Sequence, residues 1–251
     1  MKVFIINLPE SIERKEHMLA QCKALSLDAE VFNAIAGRKL TPEEVSMHTR
    51  DLSEITTPGE LGCALSHISI YRKIVENNIP HALIVEDDIT MNESLPLILH
   101  KITELIGKKE IILLNQAKQY LSKVVRTLPG HRVHPAAEAD LTCSYIITRD
   151  AAASMLKLLY PVWLLADRWQ LIRDFNVADI NCLVPPACTL SEHAQTTTIA
   201  GRYSSEAEIQ QSELMWQKIK KARPLSVKIR SVLWRLYSRK YYKVIKHGVQ
   251  S

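Results

Sequence analysis

His81-Ala82-Leu83-Ile84-Val85-Glu86-Asp87-Asp88-Ile89 is a short apolar run that ends in three consecutive carboxylates. Asn77-Asn78-Ile79-Pro80 bounds it upstream, so it reads as a buried strand. Side chains alternate along a strand, which predicts Glu86 and Asp88 on one face and Asp87 on the other. Like charges crowded in this way repel, and a cation between them relieves the repulsion. The plainer reading is a polar turn that closes a strand. In an open α/β sheet, ligands bind outside the carboxyl ends of the strands, so the flanking sequence has to decide between the two.

Upstream, residues 3–8 read as a first buried strand ending at Asn7, followed by a helix from Ser11 to about Leu25. Ala29 to Ile35 is a second apolar piece leading to Gly37. Thr41-Pro42-Glu43-Glu44 and Thr57-Pro58-Gly59-Glu60 each combine an N-cap, a proline at the first helical position and a glutamate at the third. The second opens a helix to about Asn77, with Leu61, Leu65, Ile68 and Val75 on one face. Gly62, Ser66 and Ser69 form another, small and polar face, and His67 sits between them. Glu60 is accounted for by the capping box alone, or by a ligand beside the carboxylates.

Downstream, Leu95 to Ile106 reads as a helix and Ile111 to Asn115 as a buried strand. Residues 117–140 are polar and irregular, either a hairpin or a mobile loop over the site. Leu141 to Thr148 is a strand, Ala151 to Leu159 a helix, and Trp163 to Phe175 a helix with Asp167 near its start. Val177 to Val184 is a late strand stopped by Pro185-Pro186. Strands alternating with helices predict an α/β fold with a mainly parallel sheet covered on both faces.

The 251 residues suffice for a full core, with 47% hydrophobic and 24% charged residues. The opening Met1-Lys2-Val3-Phe4-Ile5-Ile6-Asn7-Leu8 runs straight into Glu13, Arg14, Lys15 and Glu16, unlike a signal peptide. No stretch approaches the ~18 apolar residues of a membrane span. Five widely spaced cysteines without a Cys-x-x-Cys pair read as buried thiols in a reducing compartment, not as a zinc site. The net charge of +5 conceals an asymmetry: from Gln217 onward there are eleven Lys and Arg and no Asp or Glu, whereas the first 216 residues carry a net −6. Residues 191–204 read as a polar linker. They divide a body, residues 1–204, from a basic helical extension, residues 205–251, with Leu225, Ile229, Val232, Leu233, Leu236 and Tyr237 as its apolar stripe. An acidic body without a nucleic-acid motif speaks against a nucleic-acid partner.

Val3 to Leu8 with Arg14, the run Thr57 to His67, the run Ala82 to Asp88, and Ser144 to Ala152 occur in this order over about the first 150 residues. Together they resemble four motifs of glycosyltransferase family 25, and most of all its bacterial members that extend lipopolysaccharide or lipooligosaccharide chains. The resemblance implies a GT-A-type sheet that binds a nucleotide sugar. It also implies inverting transfer of a hexose, galactose foremost, from a UDP-sugar donor to a lipid-linked oligosaccharide acceptor. The alternative is a family member that holds sugar nucleotide or glycan without turnover, against which the intact Glu-Asp-Asp triplet argues.

Within that resemblance, a divalent cation, Mn²⁺ or Mg²⁺, would neutralise the leaving diphosphate. Asp88 is its expected ligand, Glu86 binds the metal or the ribose, and Asp87 is second choice. GT-A enzymes often supply another ligand late in the chain, for which His193 is the candidate. Asn7, Arg14, Glu60, Gly62, Ser66 and His67 are candidates for the nucleotide sugar. An inverting reaction needs one base; Asp167 is the first choice, with Trp169 stacking on a sugar, and Asp140 and Glu192 follow. The basic tail, carrying Trp234, Tyr237, Tyr241 and Tyr242, is expected to hold the protein on the anionic cytoplasmic face of the inner membrane, as a cytoplasmic, peripheral protein. The rival readings of the tail are an ordinary core helix and a site for acceptor phosphates.

Overall fold

The computed structural model describes residues 1–196 and 206–247. The first half contains β1 (Lys2–Asn7), α1 (Ile12–Ala24), β2 (Ala29–Asn33), α2 (Pro42–His48), α3 (Pro58–Glu76), β3 (His81–Glu86), β4 (Ile89–Met91) and α4 (Leu95–Leu105). There follow β5 (Glu110–Leu113), β6 (Gln119–Leu121), β7 (Arg126–Leu128), β8 (His131–Glu138), β9 (Ser144–Thr148) and α5 (Arg149–Leu159). The chain continues through α6 (Trp169–Asp174), β10 (Asp179–Val184), β11 (Cys188–Leu190), α7 (Glu206–Ala222), α8 (Leu225–Tyr241) and β12 (Val244–Lys246).

The main sheet has the order β12-β6-β8-β10-β5-β9-β3-β1-β2. Across its centre β2, β1, β3, β5 and β10 point one way and β9 alone runs against them. Strand alternation feeds two cores. Phe4, Ile6, Ala82 and Ile84 face α3 and α5, while Val3, Ile5, Leu83 and Val85 face α1 and α4. Helices thus cover both faces, and the architecture is the GT-A-type α/β sheet expected.

α3 begins as its sequence dictates. Thr57 accepts from the Glu60 N–H at 3.2 Å, Glu60 accepts in return from the Thr57 N–H at 3.1 Å, and Pro58 occupies the first turn. Gly62 faces the chain that follows β2: a Cβ there would lie 2.3 Å from the Ile35 carbonyl oxygen, and one on Gly37 only 1.7 Å from that of Pro58. Two glycines therefore let the post-β2 loop press against the start of α3.

Of the two readings of residues 117–140, the hairpin holds: β7 and β8 pair antiparallel across a short turn, and with β6 they widen the sheet. Two expectations need correction. Helix α6 starts only at Trp169, so Asp167 precedes it. Strand β3 ends at Glu86, and Asp87 and Asp88 occupy the turn into β4, so simple alternation does not carry through the triplet.

The boundary expected near 204 lies outside the described residues. Beyond it, Ile219 and Val227 join the main core and β12 pairs with β6. α8 meets the body through buried Val227 and Ser238, the Arg230 bond to the Asp174 carbonyl at 2.8 Å, and Trp234 beneath Arg173. Its opposite side leaves Leu225, Leu233, Leu236 and Tyr237 in solvent, each more than half exposed. No helix among the described residues is long and apolar enough to cross a membrane.

Candidate active site

β1, β2 and β3 run parallel, so their carboxyl ends share one edge, where a cavity of about 310 Å³ opens. Its walls include Arg14 from α1, Arg38 and Lys39 after β2, Ser66 and His67 from α3, and all of Glu86, Asp87 and Asp88. Leaving the strand after Glu86 is what brings Asp87 to the same side as its neighbours.

The three carboxylates are held differently. Asp87 is occupied: Asn7 Nδ2 donates to it at 2.7 Å and Arg14 Nη1 at 3.2 Å. Glu86 Oε1 accepts from Thr142 Oγ1 at 2.5 Å and from His67 Nε2 at 3.3 Å. Burial works to raise the Glu86 pKa, but the bonds from His67 and Thr142 outweigh it and hold it below the ordinary value. Asp88 lacks such help. Among the described residues its Oδ1 is buried without a partner, and burial, reinforced by the charges of Glu86 and Asp87 and opposed by Arg14 and a backbone hydrogen bond, pushes its pKa up to about 6.

Behind Glu86 lies a buried polar chain. Tyr71 and Tyr145 hydroxyls meet at 2.7 Å, and the Tyr145 hydroxyl meets His67 Nδ1 at 2.7 Å. An ionised Glu86 only accepts, so His67 Nε2 donates to it, while Nδ1 is engaged by the Tyr145 hydroxyl and that hydroxyl by Tyr71. This orients one glutamate oxygen and leaves the other for the cavity.

Other expected residues have structural duties. Glu60 Oε2 accepts from the Thr56 and Thr57 backbone at the start of α3, which accounts for its burial without a ligand. Gly62 provides the close approach of the post-β2 loop, and Ser66 fastens it, accepting from the Ile35 N–H at 2.8 Å. The His193 carbonyl accepts from Arg14 Nη2 at 2.8 Å, and its ring packs edge-on against His17 at 5.2 Å. His193 thus lies beside the carboxylate edge, although its ring is in no group of converging metal-ligand atoms among the described residues.

Asp167 and Asp140 line a second cavity, of about 360 Å³. Leu141-Thr142 links the two cavities through hydrogen bonds: Asp167 Oδ2 accepts from the Leu141 N–H at 3.2 Å, and Thr142 donates to Glu86. Asp140 is ion-paired with Lys118, and Glu192 is exposed in a short 3₁₀ turn. Trp169 does not stack on a ligand: it is 1% exposed, packs edge-on against Tyr145, and donates to the Leu141 carbonyl at 2.9 Å.

Sequence reading passed over Arg38, Lys39 and His17. Gly37-Arg38-Lys39 directly after an apolar strand was a usable signal for the first two; His17, brought in by helix packing, left none.

The residues fit a hard divalent cation. The buried Asp88 Oδ1, unpartnered among the described residues, is an acceptor that an ion would satisfy, Glu86 offers a second oxygen, and carboxylates suit Mg²⁺ or Mn²⁺. Among the described residues the one compact group of three ligand types, Cys63, His67 and Glu86, with atoms within 4.8 Å, suits an ion poorly. Both His67 nitrogens are engaged, and burial, followed by the Glu86 charge, holds the Cys63 thiol far above its ordinary pKa.

The fold is an α/β sheet with basic groups and carboxylates around a pocket at its carboxyl edge, where such sheets carry their ligand sites. The profile of glycosyltransferase family 25 (LPS biosynthesis protein) matches residues 1–169, and the chain belongs to that family. Procollagen galactosyltransferase 1 of Danio rerio is 26% identical over 176 residues, which cover 62% of this chain and 28% of that protein. A glycosyltransferase 25 family member of Anopheles gambiae is 36% identical over 96 residues, 35% of this chain and 16% of that protein. The chain therefore spans less than a third of these relatives. A crystal structure of a glycosyltransferase involved in glycosylation of the major capsid of PBCV-1 aligns at 12% identity and a TM-score of 0.33 over 63% of each chain, too weak to bear on function.

Proposed function

We propose that the protein is an inverting hexosyltransferase that moves galactose from UDP-galactose to a lipopolysaccharide or lipooligosaccharide acceptor. The observation that carries this is the carboxyl-edge cavity, lined by Arg14, Arg38 and Lys39 and by a triplet with one carboxylate oxygen unsatisfied among the described residues. The cations suit a diphosphate, and Glu86, fixed by His67 and Thr142, suits a ribose or metal contact. Mn²⁺ or Mg²⁺, held by Asp88 and Glu86, would neutralise charge on the diphosphate oxygens.

In the transfer, the acceptor hydroxyl oxygen bonds to the anomeric carbon from the side opposite the diphosphate. The bond from that carbon to the UDP oxygen breaks, and UDP leaves with the electron pair. The hydroxyl proton passes to Asp167, the one base that inversion requires. Anchoring of Asp167 to Leu141, next to the residue that binds Glu86, supports a fixed relation between base and donor. A screen of nucleotide sugars with Mn²⁺, reading nucleotide release and product, tests the proposal. UDP-galactose should be the best donor, and Asp167→Asn should keep donor affinity while transfer slows about 10²-fold or more. Binding without product would make the protein a sugar-nucleotide or glycan holder instead.

Recruitment to the anionic cytoplasmic leaflet belongs to the same proposal. It is supported by the exposed leucines of α8 and by the eleven basic residues from Gln217 onward.

A further inference from the structure

The second cavity shares no lining residue with the proposed donor site, yet the Leu141–Asp167 and Thr142–Glu86 hydrogen bonds tie the two together through adjacent residues. Its lining mixes acceptors, Glu138, Asp140 and Asp167, with donors, Lys118, Arg168 and Gln170, and Trp216 of α7 supplies an apolar wall. Three anionic and two cationic side chains nearly balance, which suits neither a phosphate nor a free cation. Interleaved donors and acceptors beside an aromatic ring are the chemistry that recognises a neutral pyranose, with its ring of hydroxyls and apolar C–H faces.

The walls are also fixed in advance. Arg168 is clamped by Glu54, with Nε donating at 2.9 and 3.0 Å and Nη2 at 2.6 Å, and it lies 4.3 Å over the Trp216 ring. Among the described residues its Nη1 donates to no protein group, and Asp167 accepts only from Leu141. Leu141 itself has φ +68°, strained for a residue with a Cβ. Both its backbone groups are tied down, the N–H to Asp167 and the carbonyl to Trp169 Nε1. The bonds on both sides maintain that strain and fix Asp167 in the wall of the second cavity, against the segment whose Thr142 binds Glu86.

We propose that this second cavity is the acceptor subsite, binding the terminal pyranose of the glycan and presenting its hydroxyl to Asp167. This rests on the donor reading above. It assigns α7 a part in the site: Trp216 and Gln170 are positioning residues for the acceptor, and the extension completes the enzyme. Among the described residues, none lining the proposed donor site belongs to α7, so the two sites are separable by mutation.

The test uses the full chain saturated with UDP and Mn²⁺, with methyl β-pyranosides of glucose, galactose and N-acetylglucosamine as probes. Saturation-transfer NMR reads glycoside binding and calorimetry reads UDP binding. At least one glycoside should bind the wild type, and Trp216→Ala and Gln170→Ala should each weaken it about tenfold. Trp216→Phe, which keeps a ring under Arg168, should recover most of the loss, and UDP affinity should stay within about twofold throughout. Gln170→Ala removes a side chain with no hydrogen-bond partner among the described residues, so it keeps the test decisive if Trp216→Ala misfolds. A wild type that binds UDP but no glycoside, or glycoside binding unchanged in both alanine variants, overturns the subsite. A wild type that fails to bind UDP overturns the donor reading first, and this inference with it.

Discussion

Glu110 and Asp88 are both buried carboxylates at the rim of the main sheet, but at opposite ends of its strands. Glu110 opens β5 at the amino edge, 1% exposed, and four donors surround it: Arg126 Nη1 and Nη2 at 2.6 and 2.8 Å, Asn181 Nδ2 at 2.6 Å and the Gly107 N–H at 2.6 Å. Asp88 follows β3 at the carboxyl edge, 9% exposed, with one oxygen that no donor reaches among the described residues. Burial of a charge is tolerable when its lone pairs are satisfied and costly otherwise. One edge is closed by its own side chains; the other is left incomplete, as a ligand site must be.

The largest effect expected from this contrast is on turnover. Asp88→Asn should lower metal-dependent transfer by about 10³-fold or more, since loss of charge stabilisation at a leaving diphosphate costs several kcal/mol. Its effect on folding should have the opposite sign. In the metal-free protein, Asp88 binds its proton up to about pH 6 when folded, against an ordinary value of 3.8. The stability gained from that proton is complete below about pH 4 and lost as pH rises through 6. Asn carries no such charge, so the variant should melt above the wild type at pH 8, by about 2–4 °C per kcal/mol relieved. Near-normal transfer by the variant would remove Asp88 from the site.

At the closed edge the effects should reverse. Arg126→Ala leaves Glu110 buried without its cation, at a cost of about 3–5 kcal/mol, which for a chain of this size lowers the melting point by roughly 10 °C. Donor affinity at temperatures where the variant is folded should stay unchanged, because Arg126 lies at the other end of the strands. A loss of UDP binding with no loss of stability would break the division between a structural and a functional edge.

The contrast also separates what the chain declares from what it conceals. The strand before Glu86, the capped start of α3 and the alternation of strands with helices were all legible, because each is encoded by residues close in sequence. The role of each carboxylate was not. Alternation put Asp87 on the far face, whereas the turn after Glu86 places it in the cavity, tied to Asn7 and Arg14. The Tyr71–Tyr145–His67 chain links α3 to β9 across the core, and no spacing announces such a contact. Trp169, read as a sugar platform, is core, while Trp216, on a helix read as part of a separate extension, lines a cavity. Tertiary packing decides which aromatic ring is left accessible.

A smaller effect should come from loosening the buried chain behind Glu86. Tyr145→Phe removes the hydroxyl between Tyr71 and His67 Nδ1. Stability should fall by about 1–3 kcal/mol, as expected for buried polar atoms left unpaired. If that chain also sets the Glu86 carboxylate, transfer should fall about tenfold and UDP affinity with it. A variant that loses stability but keeps both would show that the tyrosines hold the core together and leave the active site untouched.

The smallest effect on catalysis is expected where unsatisfied surface is apolar instead of charged. α8 turns Val227, Arg230, Trp234 and Ser238 toward the body and leaves Leu233 and Leu236 60% and 62% exposed. That orientation is the reverse of an ordinary core helix, so burial within the body does not explain the leucines. Replacing both by serine removes no buried contact and should change stability by less than about 0.5 kcal/mol. Transfer to a soluble, lipid-free acceptor should likewise stay near the wild-type rate. Co-sedimentation with anionic vesicles should drop sharply, since each leucine side chain contributes about 1.5–3 kcal/mol when moved out of water. Raising salt should weaken what binding remains, because the basic residues of α8 act through screened attraction to anionic lipid. Wild-type binding that ignores lipid charge, or a serine variant that sediments as well as the wild type, would leave the exposed face of α8 without a membrane role.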